Sequence, residues 1–309
     1  MTIAFVFPGQ GSQVVGMGLE LAAAFPAAAE VFDIIDDALG ENLTKVMFEG
    51  PEDVLKLTKN AQPALMAVSL AVLRVLEDEG GFDLSSKVKY VAGHSLGEYS
   101  ALAAAGTFSL SDTAKLLKIR GHSMQEAVPV GEGAMAALLG LDMNMARKIA
   151  DEAGQGEICT TANDNANGQV VISGAKKAVE RAILIAKDKG AKRGVILPVS
   201  APFHCALMAP AADAMREALS SVRMNDPVVP LIANVTAREV SDAAEIRRLL
   251  VEQVTGMVRW RESVLFMRDN GVDKLVEIGT GKVLSGLARR VDSEMTCQSI
   301  GTPEDVEFF

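Results

Sequence analysis

Apolar positions in this chain fall into short uninterrupted runs, separated by longer stretches where they recur every three to four residues. The run Thr2–Phe7 (TIAFVF) reads as a buried strand stopped by Pro8-Gly9. Helical spacing follows around Gly18–Phe25 and Ala28–Leu39. Asn60-Ala61-Gln62-Pro63 is expected to open a long apolar helix, with Pro near its first turn and Gly80 past its end. Val88–Gly93 (VKYVAG) is a second buried strand, and LGEYSALAAAG is a helix closed by Gly106. Ser111-Asp112 is expected to cap a further helix running to Ala127. Strands alternating with helices predict a parallel sheet covered on both faces.

The middle of the chain has another rhythm. GAMAALLGL (Gly133–Leu141), EICTTAND, QVVISG and KRGVILPVS read as strands, and Asn144–Ala153 and AKKAVERAILIAKDKG as helices. The order βαββαβ is the ferredoxin-like pattern. It predicts a small subdomain over residues 130–198, inserted into a large α/β domain built from 1–129 and 199–309. After it come a helix (MAPAADAMREALSSV), a strand (VPLIANV), a helix (EIRRLLVEQVTG) and a strand (VDKLVEIG); the tail TPEDVEFF reads as a loose end.

Composition narrows the class. The 309 residues are 49% apolar and 23% charged, with a net charge of −10. That balance suits a globular enzyme and argues against general binding to nucleic acid or anionic membranes. Cys159, Cys205 and Cys297 show neither metal-finger nor redox spacing, which points to a reducing, cytoplasmic setting. The first apolar run is too short for a secretory signal or a membrane span.

Gly93-His94-Ser95-Leu96-Gly97 lies where the second strand passes into a helix. Such a turn is so tight that side chains two residues either side of Ser would clash. It pushes the hydroxyl out at the carboxyl edge of the sheet, as in a nucleophile elbow. The plain alternative is an ordinary strand-to-helix turn. A second Gly-His-Ser, at Gly121-His122-Ser123, has Gln125 where the second Gly should be and sits late in a helix, so it reads as structural.

A nucleophilic serine needs a base. Of three histidines, His94 adjoins Ser95 and should point away from it, and His122 lies on a helix surface. His204, in the loop PVSAPFHCALMAP, is the favoured base; no Asp or Glu stands out to orient it. The backbone N–H of Leu96 is one expected oxyanion donor, and the loop FPGQGSQ (Phe7–Gln13) should supply another. On a helical wheel Arg120 falls with Leu116, Leu117, Gly121 and Met124, away from Lys115 and Lys118. A guanidinium on an apolar face needs an anion. A structural ion pair and a clamp for a substrate carboxylate fit it equally.

Taken together, FVFPGQGSQ, AQPAL, AGHSLGEYSAL, IRGHSMQEA, NGQVVISG, PVSAPFHCALM and EIGTGKVLSGL resemble, in order and over nearly the whole chain, the malonyl-CoA:acyl-carrier-protein transacylases. The resemblance implies a hydrolase-like parallel-sheet core with an inserted ferredoxin-like subdomain. It implies an acyl-Ser95 intermediate, His204 as base and acid, and an oxyanion hole formed by the N–H groups of Gln10 and Leu96. Arg120 would hold the malonyl carboxylate, with His94 and Asn163 lining the pocket. The backbone carbonyl of Gln253 would orient His204. Phe203 before His204 is similar to malonyl-selective members. No metal or redox cofactor is implied; the partners are malonyl-CoA and acyl carrier protein. Docking an acidic carrier on an acidic chain calls for a local basic patch, expected at Lys187–Arg193 with Arg289-Arg290. The competing readings are a serine esterase or thioesterase on the same core, and a non-catalytic carrier-binding module.

Overall fold

The computed structural model describes residues 1–309. Its strands are β1 (Ile3–Phe7), β2 (Val88–Gly93), β3 (Gly133–Leu139), β4 (Cys159–Ala166), β5 (Gln169–Ala175), β6 (Arg193–Ile196), β7 (Leu231–Ile232), β8 (Glu239–Val240), β9 (Lys274–Ile278) and β10 (Thr296–Ile300). The large sheet runs β10-β9-β1-β2-β7-β8. All its pairings are parallel except that of β7 with β8. β1 and β2 occupy its middle and read as near-continuous apolar runs because helices bury both faces. The long helix Thr58–Asp78 is buried nearly all round and forms much of the core on one side.

The small sheet runs β4-β5-β3-β6, fully antiparallel, with helices Met143–Gly154 and Lys176–Asp188 packed on it. Strand alternation makes this sheet a shared wall. Ala134, Ala136, Leu138, Val170 and Ile172 join those two helices in a separate core, whereas Met135, Ala137 and Val171 join the main one. Edge strand β4 is also tied to the large sheet's side of the molecule. The Val258 N–H donates to the Ala162 carbonyl and the Asp164 N–H to the Val258 carbonyl, both at 2.9 Å. Arg261 caps the joint with a 2.8 Å ion pair to the buried Asp164.

Several expectations are corrected. The long helix starts at Thr58, so Pro63 lies in its second turn, not its first. The helix Leu110–Glu126 is capped by Ser109, whose hydroxyl accepts from the Asp112 N–H; Ser111 lies inside the helix. The expected strand VPLIANV shrinks to two residues. The tail is not loose: Thr302 and Asp305 form a capping box on helix Pro303–Glu307. Phe309 then packs against Phe5 and Phe82. Strand β10 and the helices Trp260–Asp269 and Val283–Val291 lay outside the predicted elements. No helix is long and apolar enough to cross a membrane.

Candidate active site

Phe7 and Gly93 are register partners at the carboxyl ends of β1 and β2, and β7 ends beside them at Ile232. The loops after these three strands therefore meet at one edge, where open α/β sheets bind ligands. They deliver Gln10, Ser95 and Asn234 respectively.

The turn at Ser95 is as tight as its glycines imply. Ser95 itself is left-handed, with φ 55°. A Cβ on Gly93 would sit 1.9 Å from the Gly97 carbonyl oxygen, and one on Gly97 would sit 2.2 Å from the Phe7 carbonyl oxygen. Both contacts are with backbone, so nothing can move aside. Gly97→Ala is expected to destabilise the fold by more than about 3 kcal/mol, checked by chemical denaturation. Asn234 clamps the same turn: its Oδ1 accepts from the Ser95 N–H at 2.8 Å and its Nδ2 donates to the Gly93 carbonyl at 2.7 Å. The Gly121 copy is structural: a Cβ there would meet the Thr58 carbonyl oxygen at 2.5 Å, so it serves helix packing.

His204 Nε2 lies 2.8 Å from Ser95 Oγ. Its Nδ1 faces the carbonyl oxygens of Gln253 at 2.9 Å and Gly256 at 3.1 Å. Carbonyl oxygens only accept, so Nδ1 carries the proton and Nε2 turns its lone pair to the serine hydroxyl. Burial, then the positive charge of Arg120, push the His204 pKa down to about 3, while the two carbonyls act the other way. The ring is therefore neutral across the physiological range. The expected result is that inactivation of Ser95 by a neutral sulfonyl fluoride keeps one rate from pH 8 to pH 5. An ordinary histidine would lose base strength through its usual value near 6.5.

Arg120 is 1% exposed. Its Nη1 donates to Gln62 Oε1 at 2.9 Å, and its Nη2 to Gln253 Oε1 at 2.8 Å and Ser95 Oγ at 3.1 Å. All three of its hydrogen bonds go to neutral oxygens, its Nε has no partner, and its guanidinium lies over the Tyr99 ring. The structural ion pair considered for it is therefore not what holds it: neutral amide oxygens do. Buried Glu98 stands behind, its carboxyl pushed up to about 7 by burial and opposed by Gln253, the Asn234 N–H and Arg120.

The other expected residues are placed as follows. The N–H groups of Gln10 and Leu96 donate to no acceptor in the protein, so both remain available. His94 turns away from Ser95: its Nε2 pairs with Asn165 Oδ1 at 2.9 Å and its ring lies near Trp260. Asn163 is buried in β4 and its side chain has no hydrogen bond to the Ser95 cluster; Asn165 is the neighbour that reaches His94. Gln253 contributes its side chain as well as its carbonyl. Nothing in the sequence assigns a role to Asn234, Gln62, Glu98 or Gly256. Gln62 stood inside the AQPAL motif, and Asn234 followed an apolar run, each without a chemical signal of its own.

Known proteins resemble this chain over nearly its whole length. The acyl transferase domain family matches residues 4–302. The malonyl CoA-acyl carrier protein transacylase of Bacillus subtilis (strain 168) is 45% identical over 306 residues, covering 99% of this chain and 95% of the relative. The chain belongs to the acyl transferase family, among the malonyl CoA-acyl carrier protein transacylases. The Escherichia coli (strain K12) member of this family is 45% identical over 97% of this chain and 96% of its own. Among solved acyl transferase structures, the acyl-carrier-protein-S-malonyltransferase from Bartonella henselae superposes with a TM-score of 0.98. It is 59% identical and covers 100% of this chain and 98% of its own. A type II PKS acyl-carrier protein complexed with its malonyl-transacylase includes a chain with a TM-score of 0.96 and 43% identity, covering 99% of this chain and 98% of that one.

Proposed function

We propose that this acyl transferase moves a malonyl group from malonyl-CoA to the phosphopantetheine thiol of acyl carrier protein, through a malonyl ester of Ser95. One observation carries the substrate class. Arg120, buried and without a carboxylate partner, stands 3.1 Å from the nucleophilic oxygen. A bidentate guanidinium there suits an acyl group that ends in a carboxylate.

The chemistry follows from the positions. His204 Nε2 takes the Ser95 proton as Oγ bonds to the thioester carbonyl carbon. The N–H groups of Gln10 and Leu96 receive the oxyanion. The carbon–sulfur bond breaks, and His204 returns the proton to the departing CoA sulfur. The carrier thiol then repeats the sequence in reverse roles, which makes the kinetics ping-pong. His94 and Asn163 line the acyl pocket. No step calls for a metal or redox cofactor.

The carrier has a suitable landing surface. Lys192 packs on Gly140, whose N–H bonds the Gly168 carbonyl. Arg290 bonds Gln169 beyond that same β4–β5 turn. Exposed Lys192, Arg193 and Arg290 flank that turn and offer an acidic partner a basic rim, whereas the expected Arg289 turns to the Cys297 carbonyl on β10. Three free cysteines suit a cytoplasmic enzyme.

The test is to isolate the acyl-enzyme free of CoA and add holo carrier protein. Malonyl-carrier should form faster than free malonate. Release of malonate alone would make the protein a thioesterase.

A further inference from the structure

The proposed chemistry uses Ser95, His204 and Arg120 but leaves unexplained a fully buried acid one helical turn from the nucleophile. Glu98 is 1% exposed, and both groups that hydrogen-bond its carboxyl are neutral. Its Oε2 accepts from Gln253 Nε2 at 2.6 Å, and its Oε1 from the Asn234 N–H at 3.3 Å. Gln253 stands at the centre of the site. Its Nε2 also donates to the Ser95 carbonyl at 2.8 Å, while its Oε1 accepts from Arg120 and its backbone oxygen faces His204.

Both hydrogens of that amide are directed at acceptors, and its oxygen at a donor. Reversing the amide would set oxygen against two oxygens and NH₂ against the guanidinium. The Ser95 carbonyl alone fixes one hydrogen; the carboxylate fixes the other and cannot become a donor while ionised.

We infer that Glu98 is a positioning residue for acyl selection: its carboxylate locks the Gln253 amide, and the amide holds Arg120 where a substrate carboxylate must bind. The inference rests on the malonyl reading above and adds a residue to it. Glu98 touches neither substrate nor Ser95 Oγ, so its effect appears in the choice between acyl groups. In Glu98→Gln the new amide can donate toward Gln253, which frees Gln253 to turn and Arg120 to shift. Acetyl transfer, which has no carboxylate to clamp, is hurt less.

The experiment measures kcat/KM for malonyl-CoA and acetyl-CoA in wild type, Glu98→Gln, Gln253→Ala and the double variant at about pH 8.5, above the value of about 7 to which burial pushes the Glu98 carboxyl. The malonyl-to-acetyl ratio should fall about tenfold in Glu98→Gln, the worth of one charge-assisted hydrogen bond. In the Gln253→Ala background the same change should move the ratio less than twofold. Equal loss of both activities would reduce Glu98 to a stabilising residue and overturn the inference. So would an undiminished effect without the Gln253 side chain. Glu98→Asp, which keeps the charge but withdraws it by one methylene, should also lower the ratio; a wild-type ratio there would show that contact with Gln253 is not needed and overturn the inference. A wild type that takes no malonyl group would instead sink the underlying reading.

Discussion

Ser95→Ala is expected to lose malonyl transfer by about 10⁵- to 10⁶-fold, and His204→Ala by nearly as much. The two side chains are 2.8 Å apart and act as one unit. Without the hydroxyl there is no acyl-enzyme, and without the ring the hydroxyl keeps its proton. The double variant should therefore be no slower than Ser95→Ala alone. What remains is the background supplied by binding and by the free N–H groups of Gln10 and Leu96. Steady-state transfer assays on the three variants check this; additive losses would mean that Ser95 and His204 work separately.

Arg120→Ala is expected to cut kcat/KM for malonyl-CoA by about 30- to 4,000-fold, the 2–5 kcal/mol range for truncating one member of a buried charge pair. Acetyl transfer should fall only about tenfold, for loss of the one hydrogen bond from the guanidinium Nη2 to Ser95 Oγ. The ratio is the informative quantity, because removing a buried cation also unsettles Glu98 and weakens the fold evenly for both substrates. Arg120→Lys should recover little. A point charge on a flexible stem cannot bond Gln62 and Gln253 while presenting a flat fork to a carboxylate.

Much of this was legible in the sequence, for reasons that differ by residue. Ser95 announced itself because an elbow demands glycine at fixed spacing, and the geometry at Gly93 and Gly97 shows why. Arg120 was legible because a cation on an apolar helix face breaks the pattern. Glu98 was not: an acid in the first turn of a helix looks like routine compensation of the helix dipole, and its partners Asn234 and Gln253 lie far along the chain. Gln253 and Asn234 are ordinary polar residues beside apolar stretches, and their importance lies in contacts 158 and 139 residues away in sequence. In the tail, the Thr302–Asp305 spacing was a readable cap, but the pocket that receives Phe309 is made by Phe5 and Phe82, far earlier in the chain. Strand β10 lies at the sheet edge with half-buried polar residues, so it lacks the apolar run that betrayed β1 and β2.

The central claim is that the malonyl group travels on Ser95. Its most direct test is intact-mass measurement after brief incubation with malonyl-CoA, followed by peptide mapping. The account predicts one added malonyl group, located on Ser95, absent in Ser95→Ala and discharged on adding holo carrier protein. An unmodified enzyme, or a label on Cys205 or any other residue, would contradict it.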